Sequence, residues 1–317
     1  MVIKFLWGII LLIILAQCKQ DRNNEVVIES QRLFDSIPSA SGVAIKNDTA
    51  FIVCDDGTAI YQVNLTNFQQ NKISLRGLSI NEYREPKPIK HDFESACFVK
   101  WQGKEYLMAL GSGSNSGSRD SLLTVNTLDH NDQKIISLHE FYMHLQLLTR
   151  TDSTEWNIEA VTVVDTNIVI ANRGNNLLMV FNAHEMISYF LESGKPFPTI
   201  NYFRIKLPLI GKFEAKLSGL CTLDQTHLLF CASVEDTPDW TKDGPVLGSY
   251  FGICSLKEQQ LKATYLLKGK HGEPLKEKIE SVDVLKKTNN DELVFMAVGD
   301  NDNGSSKLWQ LKLRYKD

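Results

Sequence analysis

Five stretches of this chain repeat one short pattern: SASGVAI at 39–45, DFESACFV at 92–99, NIEAVTVV at 157–164, KLSGLCTL at 216–223 and KIESVDVL at 278–285. Their third residues are Ser41, Glu94, Glu159, Ser218 and Glu280, spaced 53, 65, 59 and 62 apart. Each opens an apolar run of strand length and leads into a polar turn, such as Lys46-Asn47-Asp48 or Asp165-Thr166-Asn167. A second apolar run follows in every case (AFIVC, YLMAL, IVIAN, LLFCA, LVFMAV), then a polar, often glycine-bearing turn, then a third run. Short β-rich runs punctuated by Gly, Asn and Asp predict strands, and a fixed period of this length predicts a repeat architecture. Weaker fourth runs (NKISLRGL, KIISLHEFY, INYFRIKL, ATYLLKG) read as outer strands. The fold class is therefore all-β: a single β-propeller of five four-stranded blades. The fifth repeat ends after three strands, and EVVIESQRLF at 25–34 has no blade of its own, so the N-terminal strand is expected to pair with the last blade and close the ring. A sixth blade is the alternative if residues 142–156 hold an extra hairpin. HEMISYFLESG at 184–194 places Ile187, Phe190 and Leu191 at helical spacing and predicts a surface helix.

The first residues, MVIKFLWGIILLIILAQC, set Lys4 before an apolar run too short for a permanent span, which is the pattern of a secretory signal peptide. Leu15-Ala16-Gln17-Cys18 resembles the lipobox of bacterial lipoproteins, and no Ala-x-Ala site of an ordinary signal peptide is present. That resemblance implies residues 1–17 as the leader, Cys18 as the lipidated residue, 18–25 as a tether and 26–317 as the propeller. Lys19 stands where an inner-membrane retention signal has aspartate. The expected location is the bacterial cell envelope, lipid-anchored at the outer membrane, periplasmic or surface-exposed. The whole chain carries 34 basic and 38 acidic residues. That balance excludes a general nucleic-acid partner. After Cys18, five cysteines remain in apolar, strand-like settings. Buried free thiols are the expectation, with one bridge among Cys221, Cys231 and Cys254 as the alternative in an oxidising compartment.

Chain direction in an up-and-down blade puts the starts of the first strands and the turns between second and third strands on one side. That axial mouth is expected to gather Glu94, Glu159, Lys216, Lys278 and Glu280 from the inner strands, and Arg119, Arg173, Glu235 and Trp240 from the turns. GSGSNSGSRD at 111–120 occupies one of those turns, so it precedes a strand and lacks the helix and lysine of a phosphate loop. HEFYMH at 139–144 has histidines five apart in what reads as an outer strand, and no zinc site follows. DNDNGSS at 300–306 crowds Asp300 and Asp302 into one turn, the oxygen-rich chemistry of Ca2+ sites, though Gly304 and Leu311 depart from the EF-hand pattern. No G-x-S-x-G nucleophile is present.

The set SGV, DFES, GSGS…R, NIEA, NRGN, ASVED…DG…GS and GD.D.G.S, spread from 36 to 313, resembles an uncharacterised family of bacterial β-propeller lipoproteins. That family is distantly similar to the esterase-like phytase domain propellers. Two functions are expected, the first because no nucleophile, zinc set or cofactor loop is present and the second as the resemblance implies. One is a tethered module whose mouth binds a small molecule or a protein. The other is a calcium-dependent phosphoesterase in which Glu94, Glu159, Glu235, Glu280, Asp300 and Asp302 hold Ca2+ while Arg119, Arg173, Lys216 and Lys278 hold phosphate.

Overall fold

The structure is a computed structural model that describes residues 25–78, 83–115, 117–237, 244–288, 292–301 and 303–314. It forms five antiparallel four-stranded sheets. Blade 1 is β2 (Ala40–Lys46), β3 (Thr49–Cys54), β4 (Ala59–Asn64) and β5 (Gln70–Ser74). Blade 2 is β6 (Phe93–Trp101), β7 (Lys104–Gly111), β8 (Ser121–Asn126) and β9 (Gln133–Ser137), and blade 3 is β10 (Ile158–Val164), β11 (Asn167–Asn172), β12 (Leu177–Asn182) and β13 (Ile200–Arg204). A two-residue ladder, β14 (Leu209–Ile210) with β15 (Phe213–Glu214), leads to blade 4: β16 (Lys216–Thr222), β17 (His227–Glu235), β18 (Val246–Ser255) and β19 (Gln260–Leu266). Blade 5 is β20 (Ser281–Lys287), β21 (Glu292–Asp300), β22 (Ser306–Arg314) and, from the other end of the chain, β1 (Val26–Phe34).

The ring closes as the repeat pattern predicts. β1 pairs antiparallel with β22 from Val26 opposite Leu313 to Phe34 opposite Ser306. The inner strands β2, β6, β10, β16 and β20 contact one another in that order, and β20 returns to β2. Each of five apolar clusters fills the wedge between two neighbouring blades. This is why the middle strands, β3, β8 and β11 among them, are apolar on both faces: each face meets a blade. The outer strands β5, β9 and β13 are largely exposed, which accounts for their weaker apolar signal.

The repeated third residue marks a defect common to all five inner strands. In β2, Ala40 pairs with Cys54 and Gly42 with Val53, so Ser41 is an inserted residue. Glu94, Glu159 and Ser218 are inserted in the same way in β6, β10 and β16. At the start of β20, the Glu280 N–H bonds Val298 O while Ser281 also pairs with Val298. A β-bulge bends its strand and re-aims a side chain. In blades 2, 3 and 5 the re-aimed side chain is glutamate. In blades 1 and 4 it is serine, spent on the next blade: Ser41 Oγ donates to Phe93 O (2.5 Å) and Ser218 Oγ to Ile279 O (2.6 Å). The glycine after each serine lets those blades touch. A Cβ on Gly42 would lie 2.9 Å from the Ser95 backbone, and one on Gly219 2.7 Å from Ser281 Cα.

The closing seam, blade 5 to blade 1, uses side-chain acceptors instead. Backbone N–H groups of Ala40, Val43 and Ile45 donate to Ser306 Oγ (2.8 Å), Ser281 Oγ (3.1 Å) and Asp283 Oδ2 (2.5 Å). Burial pushes the Asp283 carboxyl up to about 7, against the pull of the Ile45 and Val284 N–H groups. Asp283 stands at the end of the axis opposite the glutamates, in a cavity that all five inner strands line.

One expectation is corrected. Residues 139–144 do not extend the outer strand of blade 2; they begin an α-helix, α1 (His139–Thr149), which carries the chain to blade 3. Phe141, Tyr142 and Leu145 are buried at helical spacing. α1 lacks a side-chain N-cap and ends on Arg150 in the left-handed region, so neither terminus carried a recognisable residue. On this helix His139 bonds Asp120 (2.8 Å) and His144 stacks on Phe197. The predicted second helix is α2 (Ala183–Leu191), and Phe190 meets Phe141 at 4.8 Å between centroids. All five cysteines of the propeller are buried free thiols, as expected.

Close contact at the two Ser-Gly bulges makes a sharp prediction. Gly42→Val and Gly219→Val are each expected to lower unfolding free energy by about 2–3 kcal/mol through overpacking. Urea denaturation measures this, and wild-type midpoints would disprove the close approach.

Candidate functional site

The bulges open onto one end of the axis, where a cavity of about 170 Å3 is lined almost wholly by polar side chains from blades 1, 2, 3 and 5. Glu94, Glu159 and Glu280 project there from the inner strands, and Arg119 and Arg173 reach it from the turns. Lys278, Asp300, Asp55, Asp92 and Lys90 complete its charged lining. The glutamates and arginines therefore share a face, as chain direction predicted.

The charges fall into two walls. In the first, the buried Arg173 guanidinium donates to Glu235 Oε1 (2.6 Å) and lies 3.8 Å from Glu159 Oε2. Asn157 Nδ2 donates to Glu159 Oε1 (2.7 Å), and Lys278 reaches Glu280 (3.0 Å) and Glu235 (3.7 Å). Burial pushes the Glu159 carboxyl up to about 8, against Arg173, with Glu280 adding repulsion. Burial opposes the charge of Arg173, but Glu159 and Glu235 outweigh it and hold the guanidinium above its ordinary range. Its Nε is nonetheless sealed without a hydrogen-bond partner.

The second wall is built around Lys90, which arrives on the connection between blades 1 and 2. Its ammonium bridges Asp55 Oδ2 (2.5 Å) and Asp92 Oδ1. Arg119 holds Asp92 Oδ2 (3.2 Å) and Ser114 Oγ (2.9 Å), and Ser112 Oγ donates to the same aspartate. Ser112 and Ser114 of GSGSNSGSRD thus help orient Asp92 and Arg119. Asp55 is held below its usual range because Lys90 outweighs the burial that opposes it. Glu94 differs from the other two bulge glutamates: its side chain has no hydrogen bond or ion pair among the described residues, and Lys90 acts on it only at longer range. Burial pushes its carboxyl well up, and Glu159, Asp92 and Asp55 add to the effect. One carboxylate oxygen from each of Asp55, Asp92 and Glu94 lies within 4.8 Å of the others.

The remaining expected site residues are placed less centrally. Lys216 turns from the mouth to Gly174 O and Glu214 (both 3.2 Å), and Glu235 acts from behind Arg173. Asp300 lines the mouth, but Asn301, Asn303 and Ser305 of its turn bond one another. Asp302, Trp240 and Cys18 lie outside the described residues. Lys90 had not been expected at the site. Its only sequence signal was a lysine in REPKPIKHD, a stretch with no repeat partner.

The buried Glu159 yields a pH test. Its carboxyl is raised in the folded protein above the unfolded value of 4.5, so the folded state binds the extra proton between those values. The stability this contributes is complete below about pH 4.5 and is lost as pH rises through about 8. Glu159→Gln is expected to flatten the decline of stability between mildly acidic and alkaline pH, measured by urea unfolding. An unchanged slope would contradict the assignment.

Comparison with solved structures finds matches at low identity, one of them a β-propeller domain. Glutaminyl cyclase of Myxococcus xanthus aligns with TM-score 0.48 at 8% identity, covering 93% of this chain and 98% of that one. The Cps50 (Swd1) β-propeller domain of Myceliophteria thermophila aligns with TM-score 0.38 at 11% identity, covering 85% and 83%. Hydrazine synthase of Kuenenia stuttgartiensis aligns with TM-score 0.38 at 12% identity over 84% of this chain, which spans 57% of that longer one. These likenesses carry no argument about chemistry. No curated protein matches the sequence. Residues 36–313 match a family described as "Family of unknown function (DUF6929)", and with that span the chain belongs to it.

Proposed function

We propose that this chain is a tethered binding module of the bacterial cell envelope, anchored through lipid on Cys18, whose axial mouth takes a small polar ligand. The observation that carries the reading is the cavity itself: about 170 Å3, polar, and lined from four blades around one axis. That volume is close to the ~150 Å3 that accommodates a benzene-sized molecule. Burying so many charges at one point disfavours folding unless each is paired, and an axial end filled with apolar side chains would avoid the penalty. A ligand site is a reason to keep them.

Binding is favoured over phosphoester hydrolysis by the state of the bases. Arg119, Arg173, Lys90 and Lys278 are each engaged by carboxylates. A phosphate would have to displace buried ion pairs to reach them. Polar ligands that exchange hydrogen bonds with Ser41, Asn115 and Asn157, all of which line the cavity, need not.

Two experiments test the reading. A thermal-shift screen of the mature protein with free amino acids, simple sugars, polyols and phosphomonoesters, run in chelator, is expected to give a stabilising compound whose effect is lost in Glu280→Gln. No stabilising compound would count against a small-ligand site, and turnover of a phosphomonoester in a parallel assay with CaCl2 and no chelator would favour the hydrolase. For the anchor, Cys18→Ser is expected to abolish lipid labelling and membrane association without unfolding the propeller. Persistent labelling would refute it.

A further inference from the structure

The end of the axis opposite the mouth holds a second cavity, of about 140 Å3, whose chemistry is the reverse of the mouth's. All five inner strands line it, and much of what they present is carbon, Val43, Ala96, Val163 and Leu220 among it. One carboxyl, that of Asp283 on β20, stands in this lining. Its Oδ2 accepts from the Ile45 N–H (2.5 Å) and its Oδ1 from the Val284 N–H (2.8 Å). A carboxylate offers about four lone-pair positions, so about two are left for the cavity. No lysine or arginine among the described residues acts on it; burial and those two N–H groups alone set its proton affinity. Lys46, at the end of β2, is held by Glu105 instead. Asp283 is only partly buried, so a molecule in the cavity can reach it.

We propose that this cavity is a second binding site and takes a small alkylammonium ion, its nitrogen on Asp283 and its carbons against Val43, Ala96, Val163 and Leu220. A carboxylate set among apolar side chains is unfavourable without a counter-charge, and a protonated amine supplies the charge together with N–H donors. The alkyl part leaves water for a carbon lining, which favours binding further. The volume is close to the ~150 Å3 that admits a benzene-sized molecule, and this limits the ligand to a few carbons. An inorganic cation suits the lining poorly. Ca2+ takes about six to eight oxygens, whereas here Thr222 Oγ1 is spent on Val163 O (2.5 Å) and lies 3.3 Å from Thr162 Oγ1. The two thiols in the lining, Cys97 and Cys221, are not gathered closely enough with Asp283 to share a metal ion. Burial pushes both thiols up, with Asp283 adding to the effect, which opposes the thiolates that Zn2+ needs. Because this site lies at the other end of the axis, it does not depend on the mouth being a ligand site.

Isothermal titration of the mature protein with isobutylammonium chloride, and separately with isobutanol, tests the proposal. One ammonium per chain is expected, bound about tenfold or more tightly than the alcohol of the same carbon frame. Asp283 must be ionised to hold it, so affinity is expected to rise as pH increases through about 7, by about tenfold between about pH 6 and about pH 8. The amine, with an affinity for its proton like that of lysine at about 10, stays charged throughout that range, and the two thiols do not titrate in it. Asp283→Asn, shown to be folded by circular dichroism, is expected to lose both the preference for ammonium and its pH dependence. The proposal is overturned if wild type binds no ammonium at tens of millimolar, or binds the alcohol equally well, for then the cavity recognises carbon alone. It is also overturned if folded Asp283→Asn binds ammonium as tightly as wild type, for then the ion sits elsewhere, the acidic mouth included. Should that variant not fold, the wild-type ratio of ammonium to alcohol still decides.

Discussion

One extra residue at the start of each inner strand governs the whole molecule. The bulge bends the strand, and the residue it inserts points along the ring or into its mouth. Where that residue is serine followed by glycine, the blade is drawn onto its neighbour: Ser41 bonds Phe93 O and Ser218 bonds Ile279 O, the residues just before Glu94 and Glu280. Two of the three glutamates are therefore positioned by a serine in the preceding blade. Packing of the ring and placement of the acids are parts of one arrangement.

The glutamates impose an electrostatic demand that the rest of the mouth answers. A carboxylate in an enclosed cavity is unfavourable without a cation or donors close by. Arg173 and Lys278 supply this on one wall, and Lys90 with Arg119 does so on the other. Glu159 and Glu280 each lie beside a base, whereas Lys90 acts on Glu94 only at longer range. The two walls therefore differ: on one the bulge glutamates meet bases directly, and on the other the aspartates take them. Blade 4 contributes its bulge serine to the seam with blade 5, leaving the lining to the other four blades.

Much of the fold was legible because its signals are local. Apolar runs of strand length, polar turns between them, and the recurrence of Ser41, Glu94, Glu159, Ser218 and Glu280 are visible without knowing what packs against what. The unmatched run at 25–34 and the three-strand final repeat even indicated the closure onto β22. The helix at 139–149 was less legible: its periodicity is present in Phe141, Leu145 and Thr149, but both ends lack capping residues and it abuts a true outer strand. Asp283 stood in plain view as an acid within KIESVDVL. Its partner, the Ile45 N–H, is 238 residues away, and nothing local indicates it.

By itself, then, the sequence determined the repeating blade, the face on which most of the acids and arginines gather, and the closure of the ring, because alternation and chain direction follow from neighbours along the chain; the structure settled five blades over six. Only the tertiary structure decided how those charges are used. Arg173 finds Glu235 across 62 residues, Lys90 finds Asp55 across 35, Lys216 turns away to Glu214, and the Glu94 side chain is in no ion pair among the described residues. Ring curvature sets these distances. A salt bridge depends on ångströms between side-chain tips, and five blades wrapped about an axis bring together tips whose positions in the sequence give no measure of their separation.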